Sequence, residues 1–374
     1  MHLLNLCPHL KKRQGNYLSN KDELEKIRSQ IDTIDESILE LVNQRSLLAK
    51  ETANLKKSTD IYKPEREAKI IRNLISLNEG PLLKEQVISI FNEIISSCRS
   101  LEKELKVSYL GPEGTFSEEA VKEVFGSSVT KSSAVTIEEA ISDVSEGNSN
   151  YAIVPIENST EGPVNITLDC LYASDLKICG EIEMSIQHNL LAKDLALPKT
   201  DLEIHAHEQT LSQCKNWLDD YCLNIKRVAV SSNAQAALNS SKSDSVIAIA
   251  GRAAIEKYNL KVIAEKIQDS KDNTTRFITV SKNDVEASGL DKTSVFITTK
   301  NEPGALFNAL KPFHEKKINL THITYRPLRK DKWNYFFFFD FEGHREEKKI
   351  QSLFEELKNL NVDLKILGSY PKAT

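Results

Sequence analysis

Residues 16 to 63 contain neither Gly nor Pro, and that unbroken stretch limits the possible folds more than any other feature of the chain. Within it Leu24, Ile27, Ile31, Ile34, Ile38, Leu41, Leu48 and Leu55 recur at the three-and-four spacing of one helix face. Asn20 can cap the start, with Glu23 three residues on. A helix of about 37 residues is roughly 55 Å long and overhangs any core that its own small domain can build. Pro64 suits the first turn of a second helix, Pro64 to Leu77, which Gly80-Pro81 stops, and a third is expected from about Leu82 to Leu105. The expectation is an all-helical unit, residues 21–105, that pairs with a second copy.

The cations on the first helix support that pairing. Arg45 lies four residues after Leu41 and three before Leu48, inside the apolar stripe. Lys56 follows close to three whole turns later and points the same way. Arg28 lies roughly 25 Å away along the axis and about 100° around it, so it cannot share a small pocket with Arg45 on one straight helix. A second copy can supply it.

At 374 residues the chain is expected to hold two or three domains. A net charge of -5, with no basic stripe, gives no reason to expect nucleic acid. No apolar run approaches the roughly 20 residues that span a bilayer. In residues 1–20 the apolar Met1 to Leu6 precedes the basic Lys11-Lys12-Arg13, the reverse of a secretory signal, and the stretch is read as a disordered leader. The six cysteines have no metal-type spacing against the eight histidines and are expected as reduced thiols of a cytoplasmic protein, with no metal and no cofactor.

From Lys106 strand and helix patterns alternate, with strands expected at Val107–Leu110, Tyr151–Ile156, Leu176–Ile182, Ile204–Ala206, Lys226–Val230 and Val246–Ala250. Such alternation predicts an α/β unit, residues 106–282, with ligands at the carboxyl ends of strands. Three polar clusters fall at strand ends: Thr115 to Ser117, Pro155-Ile156-Glu157-Asn158-Ser159-Thr160-Glu161-Gly162, and Asn273-Thr274-Thr275-Arg276-Phe277. An amide, hydroxyls and a guanidinium can hold a small carboxylated molecule; taken alone, Asn273 to Phe277 reads equally well as a polar turn, and the second cluster, Pro155 to Gly162, tips the balance. The glycine loop at Gly111 to Gly114 matches no nucleotide fingerprint. Residues 293–370 show the order β-α-β-β-α-β of a ferredoxin-like α+β module, in which Tyr335 to Phe339 is expected as a buried central strand.

These motifs together resemble the bifunctional chorismate mutase/prephenate dehydratase family with a C-terminal ACT domain. The helical likeness rests on Leu24 to Arg28, Ile34-Asp35, Arg45, Lys56 and Pro64-Glu65-Arg66-Glu67. It implies that Arg28 of a partner chain, Arg45, Lys56 and Arg66 bind the carboxylates and ether oxygen of chorismate, and that Glu67 holds the ring hydroxyl. Lys63 stands where many members carry Asp. Glu102 stands where many carry Gln, and a Glu can donate to the ether only when protonated, so mutase turnover is expected to fall as pH rises.

The likeness over 107–282 adds His207 to Cys214 and implies two α/β halves around a cleft, like a periplasmic binding protein. Prephenate would lose carbon dioxide and water there to give phenylpyruvate. Thr275 is the expected donor to the leaving oxygen, with Thr274, Asn158 and Ser159 on carboxylates, Arg276 shaping the site, and Thr115, Ser117 and Glu157 lining it. His207 reads either as an acid or as a satisfied structural histidine, and Ala206 replaces the Ser of many relatives. Glu302-Pro303-Gly304-Ala305-Leu306 and Asn319-Leu320-Thr321 resemble the ACT site, implying phenylalanine bound at Gly304, Ala305, Leu306, Asn319 and Leu320 between paired modules. Thr324-Tyr325-Arg326-Pro327 stands for the usual Glu-Ser-Arg-Pro. The resemblance implies a homodimer joined through the long helix and the ACT module. A mutase fused to prephenate dehydrogenase would need a dinucleotide fingerprint, and none is present. The rival from another class is an amino-acid sensor with decayed clefts.

Overall fold

A computed structural model of the chain describes residues 8–55, 62–196, 198, 201–270, 272–299, 302–327, 335–360 and 362–373. Three helices come first: α1 (Pro8–Leu55), α2 (Pro64–Leu77) and α3 (Lys84–Ser100). Helix α1 begins at Pro8, inside the stretch read as a disordered leader. Pro is well placed at a helix start, and the one glycine that follows, Gly15, costs only about 1 kcal/mol in a helix. The apolar face of α1 lies open; Ile34, for example, is 57% exposed, and Leu24, Ile27, Ile31, Ile38, Leu41, Leu48 and Leu55 are exposed with it. Helix α3 is shorter than expected. Gln86 Oε1 accepts the Leu83 N–H at its start, and beyond Ser100 the chain turns toward a strand.

Two α/β lobes follow. The first holds β1 (Lys106–Leu110), α4 (Phe116–Phe125), β2 (Thr130–Ala134), α5 (Ile137–Glu146), β3 (Tyr151–Asn158), β4 (Gly162–Pro163), α6 (Asn165–Ala173) and β5 (Lys177–Ser185). The second holds β6 (Asn189–Ala192), β7 (Glu203–Ala206), α7 (Glu208–Gln213), α8 (Lys215–Tyr221), β8 (Lys226–Ala229), α9 (Asn233–Lys242), β9 (Val246–Ala250), α10 (Arg252–Tyr258) and β10 (Lys261–Ala264). Strand β11 (Thr274–Ser281) returns to the first lobe and completes the order β2-β1-β3-β11-β5, while the second sheet runs β10-β6-β9-β7-β8. The lobes are thus joined by two crossovers, β5 to β6 and β10 to β11. They also touch across the cleft. A Cβ added at Gly251 would lie 2.7 Å from the Phe116 ring, so only glycine admits that ring.

The last unit holds β12 (Asp291–Thr299), α11 (Ala305–Glu315), β13 (Leu320–Pro327), β14 (Tyr335–Glu342), α12 (Lys348–Asn359) and β15 (Asp363–Pro371), in the sheet order β13-β14-β12-β15. Strand β14 is central and buried on both faces. Phe339 and Phe341 pack on the module's own helices, whereas Phe336 and Phe338 join a core shared with the first lobe. The aromatic run exists because this strand, covered on one face by the module's helices and on the other by the first lobe, has no wet face.

Candidate active sites

A cavity of about 240 Å³ lies where the C-terminal part of α1 meets α2 and the end of α3. That end of α1 is held against α3, with Ser46 Oγ 3.2 Å from Cys98 Sγ. The lining includes Arg45, Lys63, Arg66, Glu67, Arg99 and Glu102. Four cations therefore face two carboxylates, and a small dianion would balance them. Glu67 Oε1 accepts from Arg99 Nη1 at 2.5 Å. Burial raises the Glu67 pKa above its ordinary value; Arg99 and Arg45 pull it part of the way back, and Glu102 opposes them.

The cavity gathers Arg45, Arg66, Glu67 and Glu102 as expected together. Arg28 is exposed on α1 and does not line it, while Lys56 lies outside the described residues. Sequence reading noted Lys63 only as a departure and missed Arg99. The available signal was the three-residue spacing of Arg99 and Glu102, which would share one face of the helix expected to run to Leu105.

A larger cleft, of about 570 Å³, opens between the two lobes at the carboxyl ends of β1, β3, β7 and β9. Thr115, Ser117, Asn158, His188, His207, Gln213, Asn273 and Thr275 are among its walls. The starts of α4 and α9 border it, and helix N-termini favour carboxylates. Thr115 Oγ1 itself donates to the Leu110 carbonyl.

A chain of hydrogen bonds fixes the polarity of this cleft. Asn158 Oδ1 accepts the backbone N–H groups of Thr160 and Glu161 at 3.0 and 3.2 Å, so its orientation is set by donors that cannot reverse. Asn158 Nδ2 must then donate, and it does so to Thr275 Oγ1 at 2.7 Å and to Asn273 Oδ1 at 3.1 Å. Asn273 Nδ2 in turn donates to Gln213 Oε1 at 3.2 Å. His188 Nε2 lies 3.0 Å from the same oxygen and so carries the proton. Burial lowers the His188 pKa and the Gln213 contact only partly offsets it, which keeps the ring neutral near pH 7. Since Thr275 Oγ1 accepts from Asn158, its own proton is left for a ligand in the cleft.

Four residues expected at this site lie elsewhere. Thr275 pairs in register with Asn158, and Arg276 with Glu157. Alternation along β3 and β11 turns the first pair to the cleft and the second to the opposite face. Arg276 is therefore not a cleft residue. It donates to Glu181 Oε2 at 2.8 Å, to Asp340 Oδ2 at 2.5 Å and to the Tyr370 hydroxyl at 3.1 Å. Lys292 Nζ joins Glu181 at 2.7 Å, so two buried cations face two buried carboxylates between the first lobe and the C-terminal module. Glu157 Oε2 lies 3.2 Å from His322 Nδ1 of that module. Ser159 and Thr274 also leave the cleft wall: Ser159 Oγ donates to the Asp272 carbonyl and accepts the Thr274 N–H, tying the two loops together.

In the C-terminal module Gly304 has φ +85° and starts α11, a left-handed turn that favours glycine. Leu306 is exposed and Ala305 half-buried beside it. Asn319 and Leu320 lie at the start of β13, and Leu320 pairs with Phe341, which pairs with Thr293 near the start of β12. The Gly304 turn follows the other end of β12. The two halves of the expected amino-acid site thus sit at opposite ends of one module. Arg326, from the segment that departs from the usual motif, holds Asp169 of α6 through two bonds of 2.8 and 2.5 Å.

Comparison with known proteins places three families along the chain: chorismate mutase type II over residues 27–103, prephenate dehydratase over 107–285 and the ACT domain over 293–359. The bifunctional chorismate mutase/prephenate dehydratase of Pseudomonas aeruginosa is 44% identical over 363 residues, covering 95% of this chain and 100% of that protein. Its counterpart in Aquifex aeolicus is 41% identical over 94% of this chain and 99% of its own length. Among solved structures, prephenate dehydratase from Arthrobacter aurescens in complex with L-Phe is 32% identical and superposes with a TM-score of 0.66, covering 72% of this chain and 90% of that one. No helix among the described residues is long and apolar enough to cross a membrane.

Proposed function

The chain belongs to the bifunctional chorismate mutase/prephenate dehydratase family, and on that premise we propose how its residues divide the work. It rearranges chorismate to prephenate and converts prephenate to phenylpyruvate, carbon dioxide and water on the route to phenylalanine, which acts on it as an effector. The cavity of the helical unit takes chorismate. The rearrangement is pericyclic and needs no nucleophile, so fixed cations that compact the dianion and meet charge growing on the ether oxygen suffice. Arg45, Arg66 and Lys56 take the carboxylates and the ether, Glu67 the ring hydroxyl, and Glu102, when protonated, donates to the ether oxygen.

The interlobe cleft takes prephenate. As the ring carboxylate leaves as carbon dioxide, its bonding pair enters the ring, and the opposite carbon releases hydroxide, which becomes water. The Thr275 hydroxyl meets that leaving oxygen. A Thr hydroxyl is a poor acid, so it stabilises by a positioned hydrogen bond and the proton comes from solvent. The observation that carries this reading is the Asn158–Thr275 bond, whose direction leaves the Thr275 proton to the substrate. Ser117 and the backbone N–H groups at the start of α4, where Thr115 is the N-cap, would hold carboxylates.

A second chain completes two half-sites. Arg28 is beyond reach of Arg45 in its own chain, and the Gly304 turn and Asn319-Leu320 lie at opposite ends of one ACT module. The open apolar face of α1 and the exposed Phe307, Ile323 and Tyr325 of the module are the surfaces that a homodimer of this soluble, cytoplasmic enzyme would cover. The test uses Arg45→Ala in the full chain. Conversion of chorismate should fall by about 10²–10³, the cost of one transition-state contact, while prephenate supplied directly is still consumed. Loss of both reactions together would count against two separate clefts.

A further inference from the structure

We infer that Arg99 is a positioning residue of the mutase site, one that holds Glu67 as an oriented anion and takes its own seat from the dehydratase lobe. The inference rests on reading the helical cavity as the chorismate site.

Arg99 is 4% exposed, and each end of its guanidinium is engaged. Nη1 bonds Glu67 Oε1, which leaves Oε2 as the acceptor for a ring hydroxyl. Nη2 donates to the Phe125 carbonyl at 2.7 Å. Phe125 is the last residue of α4, where unsatisfied carbonyls carry partial negative charge. The guanidinium carbon also lies 5.1 Å from the Tyr62 ring centre and 5.6 Å from that of Phe125, within cation–π range. Those two rings pack with Tyr151 inside the first lobe. Half of what fixes Arg99 therefore belongs to the other enzyme on the chain. A lysine cannot reproduce this arrangement, because a compact ammonium lacks the planar fork that bonds two acceptors while stacking on rings.

The charge on Glu67 depends on this seat. The groups around it are Arg45 from α1, Arg66 from α2 and Lys63 just before it, Arg99 from α3 and Glu102 in the turn that follows, and the Tyr62 hydroxyl. Burial alone favours the protonated acid, and Arg99 is the foremost group opposing it. Without Arg99, Glu67 takes up a proton at higher pH and becomes a poorer acceptor for the hydroxyl.

The test compares full-length wild type, Arg99→Gln, Glu67→Gln and the double variant, measuring mutase kcat/KM from mildly acidic to mildly basic pH. Arg99→Gln should lower kcat/KM by about 10- to 100-fold, the worth of one charge-assisted hydrogen bond, and its ratio to wild type should rise with pH. In the Glu67→Gln background the same change should cost little more and leave the ratio flat, which separates an effect through Glu67 from one through Glu102. Arg99→Lys should recover the pH profile without the full rate. Turnover of supplied prephenate reports on the fold. Multiplicative losses in the double variant, or equal loss of both activities, would overturn the assignment. A wild-type chain that leaves chorismate untouched would instead overturn the mutase reading itself.

Discussion

Thr275→Val is the most informative single change, because it removes one hydroxyl and keeps the shape. Thr275 is 8% exposed, and its Oγ1 accepts from Asn158 Nδ2 at 2.7 Å. Val leaves Asn158 Nδ2 with Asn273 Oδ1 at 3.1 Å, so the amide keeps a partner and the loop is not stranded. The fold should lose about 1 kcal/mol, the net worth of one neutral hydrogen bond. The reaction should lose far more. A preorganised donor to a developing oxyanion contributes about 2.7–4 kcal/mol, so kcat for prephenate should fall by about 10²–10³ with KM changed little. Thr275→Ser keeps the donor and should stay within about tenfold of wild type. The assay follows phenylpyruvate from supplied prephenate and, in the same preparation, consumption of chorismate, which should be normal. A Val variant with wild-type kcat would refute the role of the hydroxyl and the hydrogen-bond polarity from which it was inferred.

Glu102→Gln should keep or raise the mutase rate, since an amide N–H can donate to the ether oxygen; a loss of about tenfold or more with prephenate turnover unchanged would contradict this. Arg28→Ala and Arg45→Ala, each inactive as a mutase, should regain about a quarter of wild-type activity after mixing and exchange of chains, because half the dimers then hold one intact site of two; no recovery would mean that Arg28 serves no partner site. Burial pushes the Glu181 carboxyl up, but Arg276 and Lys292 outweigh it and hold its pKa below the ordinary value. Its folded pKa being depressed, Glu181 contributes stability above its unfolded pKa of about 4.3, and that contribution is lost as pH falls through the folded value. Arg276→Met leaves two buried carboxylates with one cation and should destabilise the protein by about 3–5 kcal/mol; unfolding curves that match wild type at neutral pH would contradict the network.

The large divisions were legible because each rests on a pattern repeated over many residues. The absence of Gly and Pro over 16 to 63 fixed a long helix, and the last unit's alternation of patterns fixed its sheet. The site was legible only to the level of clusters. Polar residues at the ends of β3 and β11 marked the cleft, but Glu157 and Arg276 could be told from Asn158 and Thr275 only by strand parity, which one cluster of five residues does not reveal. The aromatic run of β14 pointed to burial, yet not to the first lobe that covers Phe336 and Phe338. Strand β2, Thr130 to Ala134, escaped notice because it is a polar edge strand with no apolar face to advertise. Arg99 was hidden for a different reason: its partners, Glu67 and the Phe125 carbonyl, come from two units that meet only in the folded chain. Helix α1 runs back to Pro8 through a stretch whose composition suggested only a leader.

The central claim is that two consecutive reactions occur in two clefts of one chain under the control of phenylalanine. A time course started from chorismate alone, with and without phenylalanine, tests it most directly. Phenylpyruvate should appear after a lag in which prephenate rises and falls, and phenylalanine should slow its appearance. Chorismate that persists unchanged in the presence of the folded protein would contradict the account.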